Sequence, residues 1–98
     1  FFIYIVYIKN IKMKFSVSTR KNKKYSVITP SGRVVHFGDK RYGHFKDKAL
    51  GVYKDLDHND RARRRSYRRR ARGIKNKYGK AVFQDKESPA YYSYRFLW

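Results

Sequence analysis

The sequence predicts an α+β fold: a small antiparallel three-stranded meander, then an arginine-rich helix, then a short aromatic C-terminal helix. Three observations predict it. Between Phe15 and Phe37, short apolar–polar alternations are broken by polar or Pro/Gly turns, the period-two pattern of half-buried strands. The run Asp60–Gly73, DRARRRSYRRRARG, has an oxygen-bearing residue before it and a glycine at its end, with no breaker inside. At Ser88-Pro89 a serine stands before a proline, an arrangement that opens helices, and an aromatic tail follows.

The first twelve residues, FFIYIVYIKNIK, form an apolar N-terminal extension with two readings. The only methionine is Met13, and Phe, Ile, Tyr, Asn and Lys all have A/T-rich codons, which suits translated upstream sequence ahead of a start at Met13. If the segment is protein, Phe1–Ile8 reads as a β-strand added to a neighbour's sheet. It is too short to span a bilayer and lacks the basic region and cleavage site of a signal peptide, so a membrane partner is not expected. Residues 13–98 read as a single small basic domain.

Within that domain, Phe15–Thr19 alternates as a strand should, Arg20–Lys24 is a polar turn, and Tyr25–Thr29 is a second strand. Pro30-Ser31-Gly32 turns the chain, because proline presets φ and glycine permits positive φ. Arg33–Phe37 is the third strand. Such a sheet needs a cover on its apolar face. Gly38–Gly43 is a loop, and His44–Tyr53 stands between loop and short helix, with Phe45, Leu50 and Tyr53 on one side. Asn59 or Asp60 caps the helix that runs to Arg72; Gly73 takes the position after it and Ile74 the apolar contact that often follows. Lys75–Lys80 is a basic turn, and Ala81–Gln84 reads as a further short strand. In the tail Ala90–Trp98, helical spacing puts Tyr91, Tyr94 or Arg95, and Trp98 on one face.

Composition narrows the function classes. A net charge of +19 over 98 residues repels itself and calls for a polyanion or an acidic protein surface as partner. Aromatics at 18% argue for an ordered chain, since disordered basic tails are poor in them. With no cysteine, neither disulfide nor thiolate metal site is available. Asp55-x-Asp57-x-Asn59 begins like a calcium loop but has Asp60 where glycine is needed and Ser66 where glutamate is needed. These acids read instead as caps and arginine partners. His36, His44 and His58 lack metal-ligand spacing, and no nucleophile–base–acid set stands out. The sequence therefore predicts no enzyme, no cofactor, no metal and no small-molecule substrate.

The chemistry sits in the helix. Eight arginines fall within the twelve residues Arg61–Arg72, with no acid among them. Arg61, Arg65, Arg68 and Arg72 share one side, with Arg64 and Arg69 near it, and these six are the expected contacts to phosphate or carboxylate. The apolar stripe of Ala62, Tyr67, Ala71 and Ile74 is thin for packing. Tyr91, Tyr94 and Trp98 are expected as aromatic docking residues, since Tyr, Trp and Arg dominate protein interfaces. Tyr25, Tyr42, Phe45, Tyr53, Tyr67 and Tyr78 interleave with basic residues, a pattern that can stack single-stranded bases but reads better as core and protein contacts.

Several of these residues carry a resemblance. The runs His36-Phe-Gly-Asp39, Tyr42-x-His44-Phe45-x-Asp47, Leu56-Asp-His-Asn-Asp60, Arg64-x-Ser66-Tyr67-x-x-Arg70 and the ending Ser88-Pro-Ala-Tyr-Tyr-Ser-Tyr94-x-x-Leu-Trp98 resemble a family of small basic, uncharacterised proteins of large DNA viruses of algae and protists (the nucleocytoplasmic large DNA viruses). The resemblance covers about Lys24 to Trp98 and supplies no catalytic residues. It implies a viral protein located in the virion, on the inner side of the capsid, and in the host cell during assembly. The first expectation is a minor capsid protein that ties major capsid subunits together, with the major capsid protein and other minor capsid proteins as partners. The alternative is a virion protein that binds or condenses viral DNA through the Arg61–Arg72 helix.

Overall fold

A computed structural model of the chain describes residues 4–8 and 11–98, with side chains from Met13 onward. Four antiparallel strands follow one another in sheet order: β1 (Tyr4–Ile8), β2 (Ile11–Val17), β3 (Lys23–Ile28) and β4 (Val34–Asp39). The expected three-stranded meander is β2–β3–β4, and the arginine helix α1 (Arg61–Gly73) and the aromatic helix α2 (Pro89–Phe96) come after it in the expected order. The extension is part of the same sheet. Tyr4–Ile8 pairs with β2 of its own chain, Tyr4 opposite Phe15 and Ile8 opposite Ile11, rather than with a neighbour's sheet. Residues 1–3 of the apolar run lie outside the described residues.

Register divides the meander into two faces. Phe15 pairs with Val27, Val27 with Val35, and Tyr25 with Phe37. All five of these side chains are buried on the covered face. The alternate pairs Ser16–Ser26 and Ser26–His36 lie on the other face, as a period of two requires. Helix α2 supplies the cover that the sheet needs. Tyr92 and Phe96, four residues apart and so on one helical face, meet Phe15 and Phe37: Phe15–Phe96 ring centroids lie 4.9 Å apart and Phe37–Tyr92 centroids 5.8 Å apart. Burial pushes the Tyr92 hydroxyl up to about 12. Gly38 permits the close approach of sheet and tail. It has φ 78°, and a Cβ there would come within 2.8 Å of Leu97 Cδ1 and 3.0 Å of Lys24 Cδ.

The helix caps form as expected. Asp60, not Asn59, caps α1, its carboxylate accepting from Ala62 N at 2.9 Å and Arg63 N at 3.2 Å. Ser88 Oγ accepts from Ala90 N, with Pro89 in the first turn of α2. Glu87 then ties this helix start to the Pro30–Gly32 turn, accepting from Thr29 Oγ1 at 2.6 Å and Ser31 Oγ at 2.5 Å.

Several local expectations need correction. Strand β3 begins at Lys23, within the expected turn, and ends at Ile28 rather than Thr29; β4 starts at Val34 and takes in Gly38 and Asp39 from the expected loop. The first strand begins at Ile11 and ends at Val17, because β1 extends the ladder at one end and Ser18 N turns to Lys24 O at the other. His44–Tyr53 is not helical. The Asp47 carboxylate accepts from the amides of Ala49 and Tyr53, which gives this backbone partners outside a helix; a single 3₁₀ turn, Lys54–Leu56, follows. Ala81–Gln84 is no strand: Ala81 makes one bridge to Lys75, and Val82–Gln84 is a 3₁₀ turn. Gly73 does not enter the left-handed region but stays within α1, and Ile74, the residue expected to pack behind it, is 55% exposed.

The aromatic layer between sheet and α2 carries the fold. Phe96→Ala is expected to cost about 3–5 kcal/mol, the range for truncating a buried aromatic. Tyr78→Ala, at a side chain 75% exposed, should stay within about 0.5 kcal/mol of the parent. Urea unfolding of both variants checks the contrast.

Candidate polyanion-binding face

Positioning begins with a buried polar line that sequence patterning does not reveal. Lys24 is 2% exposed. Its Nζ donates to Tyr42 O at 3.0 Å and lies 2.7 Å from His44 Nδ1. The other nitrogen of the fully buried His44 ring lies 2.6 Å from Asp57 Oδ1. With Nδ1 accepting from lysine, Nε2 carries the ring hydrogen and donates to the carboxylate. Asp57 also accepts from Asp47 N, and Asp47 Oδ2 accepts from Tyr25 OH at 2.5 Å. The line thus runs from strand β3 through the whole Gly43–Asp57 loop. Main-chain bonds close the same loop: His44 N to Leu56 O, His58 N to His44 O, and Asn59 N to Phe45 O. Asp57, read from sequence as a helix cap or arginine partner, serves this histidine instead.

The loop and the tail together make the seat of α1. Ala71 is the only buried residue of that helix, so the apolar stripe alone is as thin as the sequence indicates. The rest of the seat is polar and aromatic. Tyr67 stacks on Trp98 with centroids 4.3 Å apart and planes 11° apart. Arg64 lies over the Phe45 ring at 4.6 Å and donates through Nε to the main-chain oxygen of Trp98 at 2.8 Å. Arg68 lies over Tyr94 at 5.0 Å and donates through Nη2 to the same oxygen at 3.1 Å. Burial and the neighbouring Arg64 charge both push Arg68 down from the usual guanidinium value.

The eight arginines therefore divide. Arg64 and Arg68 are half-buried and face the body of the protein. Arg61, Arg63, Arg65, Arg69, Arg70 and Arg72 are exposed. Of the six residues expected as one surface, four (Arg61, Arg65, Arg69 and Arg72) are outward and two are not, while Arg63 and Arg70 join the outward set. Helical spacing explains this: positions 64, 67, 68 and 71 share one face, and Tyr67 and Ala71 choose that face for packing. Arg72 also donates through Nε to Tyr94 OH at 3.0 Å. Among the described residues, ion pairs join Arg41 to Asp39 and His44 to Asp57, and none reaches an arginine of α1.

The structure does not gather Tyr91, Tyr94 and Trp98 into an exposed docking patch. Tyr91 is 7% exposed, while Tyr94 and Trp98 are half-buried against α1. Of the interleaved aromatics, Tyr25 is core and Tyr67 belongs to the seat, whereas Tyr42 remains 65% exposed.

A family model described as a family of unknown function (DUF5754) matches residues 13–49. The matched segment holds Met13–Val17 of β2, all of β3 and β4, and the loop through Ala49, and it stops before α1. No curated protein and no solved structure matches the chain.

Acid should loosen the framework of this face. Burial, with the Lys24 charge, holds His44 below the ordinary histidine value. Burial with Arg20 and Lys23 does the same for His36, and burial with Arg63 for His58. A histidine with a depressed folded pKa contributes stability above its unfolded value that is lost as pH falls through the folded one. The urea midpoint should therefore fall between about pH 7.5 and pH 5, starting near the unperturbed value of about 6.5. A midpoint that rises on acidification contradicts these assignments.

Proposed function

We propose that this protein is a non-enzymatic nucleic-acid-binding protein that holds phosphates on the outward face of α1. One observation carries the reading: six exposed guanidiniums on a single helix, with no acid of the described residues paired to them. Each phosphate neutralised there releases counterions, which gives binding without sequence readout. In the virion setting that the sequence resemblance implies, the partner is the packaged DNA.

The minor-capsid reading is second. Its aromatic docking trio is engaged within the fold, which shifts the weight from aromatic anchoring to charge. What favours it is the bare outer face of the sheet, where a groove of about 330 Å³ is lined by Lys14, Ser16, Ser26, Ile28, Val34 and His36, and Val34 is 56% exposed.

Affinity for duplex DNA, measured across salt concentrations, tests the choice. A phosphate-binding face gives a steep linear fall on a log–log plot, about 0.9 in slope per phosphate contacted. Arg65→Gln and Arg69→Gln should each lower that slope by about one. A flat slope that both variants leave unchanged overturns the reading. Retention of the protein by DNA-depleted capsid shells would then establish the second.

A further inference from the structure

The outward arginines do not form one surface. A stripe of small residues, Ala62 and Ser66, separates Arg61, Arg65, Arg69 and Arg72 from Arg63 and Arg70, by the hundred-degree helical step. The second pair borders a cleft of about 450 Å³ between α1 and the Gly38–Gly43 loop. That volume lies within the roughly 300–1,000 Å³ of small-ligand sites. Tyr42 and Trp98 contribute aromatic wall, and Ser66 and His58 contribute polar groups. Tyr42, 65% exposed, belongs to neither the core nor the α1 seat, and Arg41 lies 5.8 Å from its ring centroid. His58 adds a second, independent feature. Its Nδ1 accepts from Asp60 N at 3.0 Å, so Nε2 carries the ring hydrogen, and that buried donor has no partner.

We infer that this cleft takes an unpaired base of single-stranded nucleic acid, stacked on Tyr42, with its flanking phosphates on Arg63 and Arg70. Cations beside an aromatic platform are what sequence-tolerant single-strand binding requires. A duplex, whose bases are paired and stacked inside, presents no free base to stack on Tyr42 and is left with phosphate contacts such as the arginine row along Arg61, Arg65, Arg69 and Arg72. The inference rests on the proposed function and deepens it by naming the form of nucleic acid that the face prefers.

Trp98 is the chain's single tryptophan and lines the cleft, so its emission reports occupancy directly. The full chain is titrated with oligothymidylate and oligouridylate of about eight nucleotides, within the usual span of single-strand sites, and with a duplex of the same length, all at one salt concentration. Both single strands are expected to bind more tightly than the duplex and to change Trp98 emission. Tyr42→Ala, at an exposed ring, should weaken single-strand binding roughly fivefold to a hundredfold, the range for losing one stacked base, and so remove the preference. Arg63→Gln/Arg70→Gln should weaken it as well. The inference fails if duplex binds as tightly as single strands, Trp98 emission does not respond, and Tyr42→Ala changes nothing; the proposed function survives that outcome. If neither single strand nor duplex binds, both fail together. A preference between the two single strands supports the inference and reports a further contact at the 2′-hydroxyl or the thymine methyl, the two groups in which they differ.

Discussion

The functional face depends on one buried contact, the amino group of Lys24 on the ring of His44. A buried cation is tolerated only with hydrogen-bond partners and opposite charge nearby. Lys24 has both, in Tyr42 O, His44 and the Asp57 carboxylate behind the ring. Because the line begins on a central strand and ends at Asp57, it fixes a segment that has almost no regular structure of its own. That segment carries Phe45 under Arg64, and its amides at Lys46 and Lys48 hold the end of α2 through Leu97 O and Phe96 O. Helix α1, with one buried alanine, rests on this segment, on the tail and on the 3₁₀ turn Val82–Gln84, whose Val82 N donates to Ile74 O. Sheet, loop, tail and arginine helix are thus coupled in series, and the weakest apolar contact lies where the charge is highest.

That arrangement accounts for how so basic a helix stands up. Like charges three and four residues apart each oppose helix formation by a few tenths of a kcal/mol. The opposing contributions come from the Asp60 cap, the Tyr67–Trp98 stack and the two guanidiniums on the Trp98 oxygen. Arg64 and Arg68 are in effect structural residues, since Arg64 Nε and Arg68 Nη2 both donate to the Trp98 oxygen. Of the outward six, Arg72 gains one bond, to Tyr94 OH, and the other five make no side-chain hydrogen bond among the described residues. Their repulsion is relieved when a phosphate backbone binds, so folding stability and partner binding should rise together.

Much of the fold was legible in the sequence because its signals are local. Alternation marked β2, β3 and β4; Asp60 and Ser88-Pro89 marked both helix starts. The errors came where side chains at a distance decide. His44–Tyr53 looked half-helical because Phe45, Leu50 and Tyr53 are suitably spaced, but the Asp47 carboxylate takes the amides a helix would use. Gly73 looked like a helix stop, yet Ile74 N bonding to Ala71 O ends the helix without a left-handed residue. At the site, the arginine cluster was plain and its division was not. Tyr67 and Ala71 were visible as an apolar stripe, and placing that stripe inward would have turned Arg64 and Arg68 inward too. For the tail, the face of Tyr91, Tyr94 and Trp98 drew notice, while Tyr92 and Phe96, also four apart, are the pair that reaches the core. The Lys24–His44–Asp57 line left no trace, because its members are far apart in sequence and Lys24 reads as the end of a polar turn.

The division of α1 into two inward arginines and six outward ones, proposed to bind phosphate, is best tested by heteronuclear NMR of the arginine Nε–H groups during titration with oligonucleotide. The resonances of Arg61, Arg63, Arg65, Arg69 and Arg70 should shift with saturation, while that of Arg64 stays in place because its Nε–H already donates to the Trp98 oxygen. Shifts concentrated at Arg64 and Arg68, or no shift at any of the eight, would contradict the division and with it the nucleic-acid face.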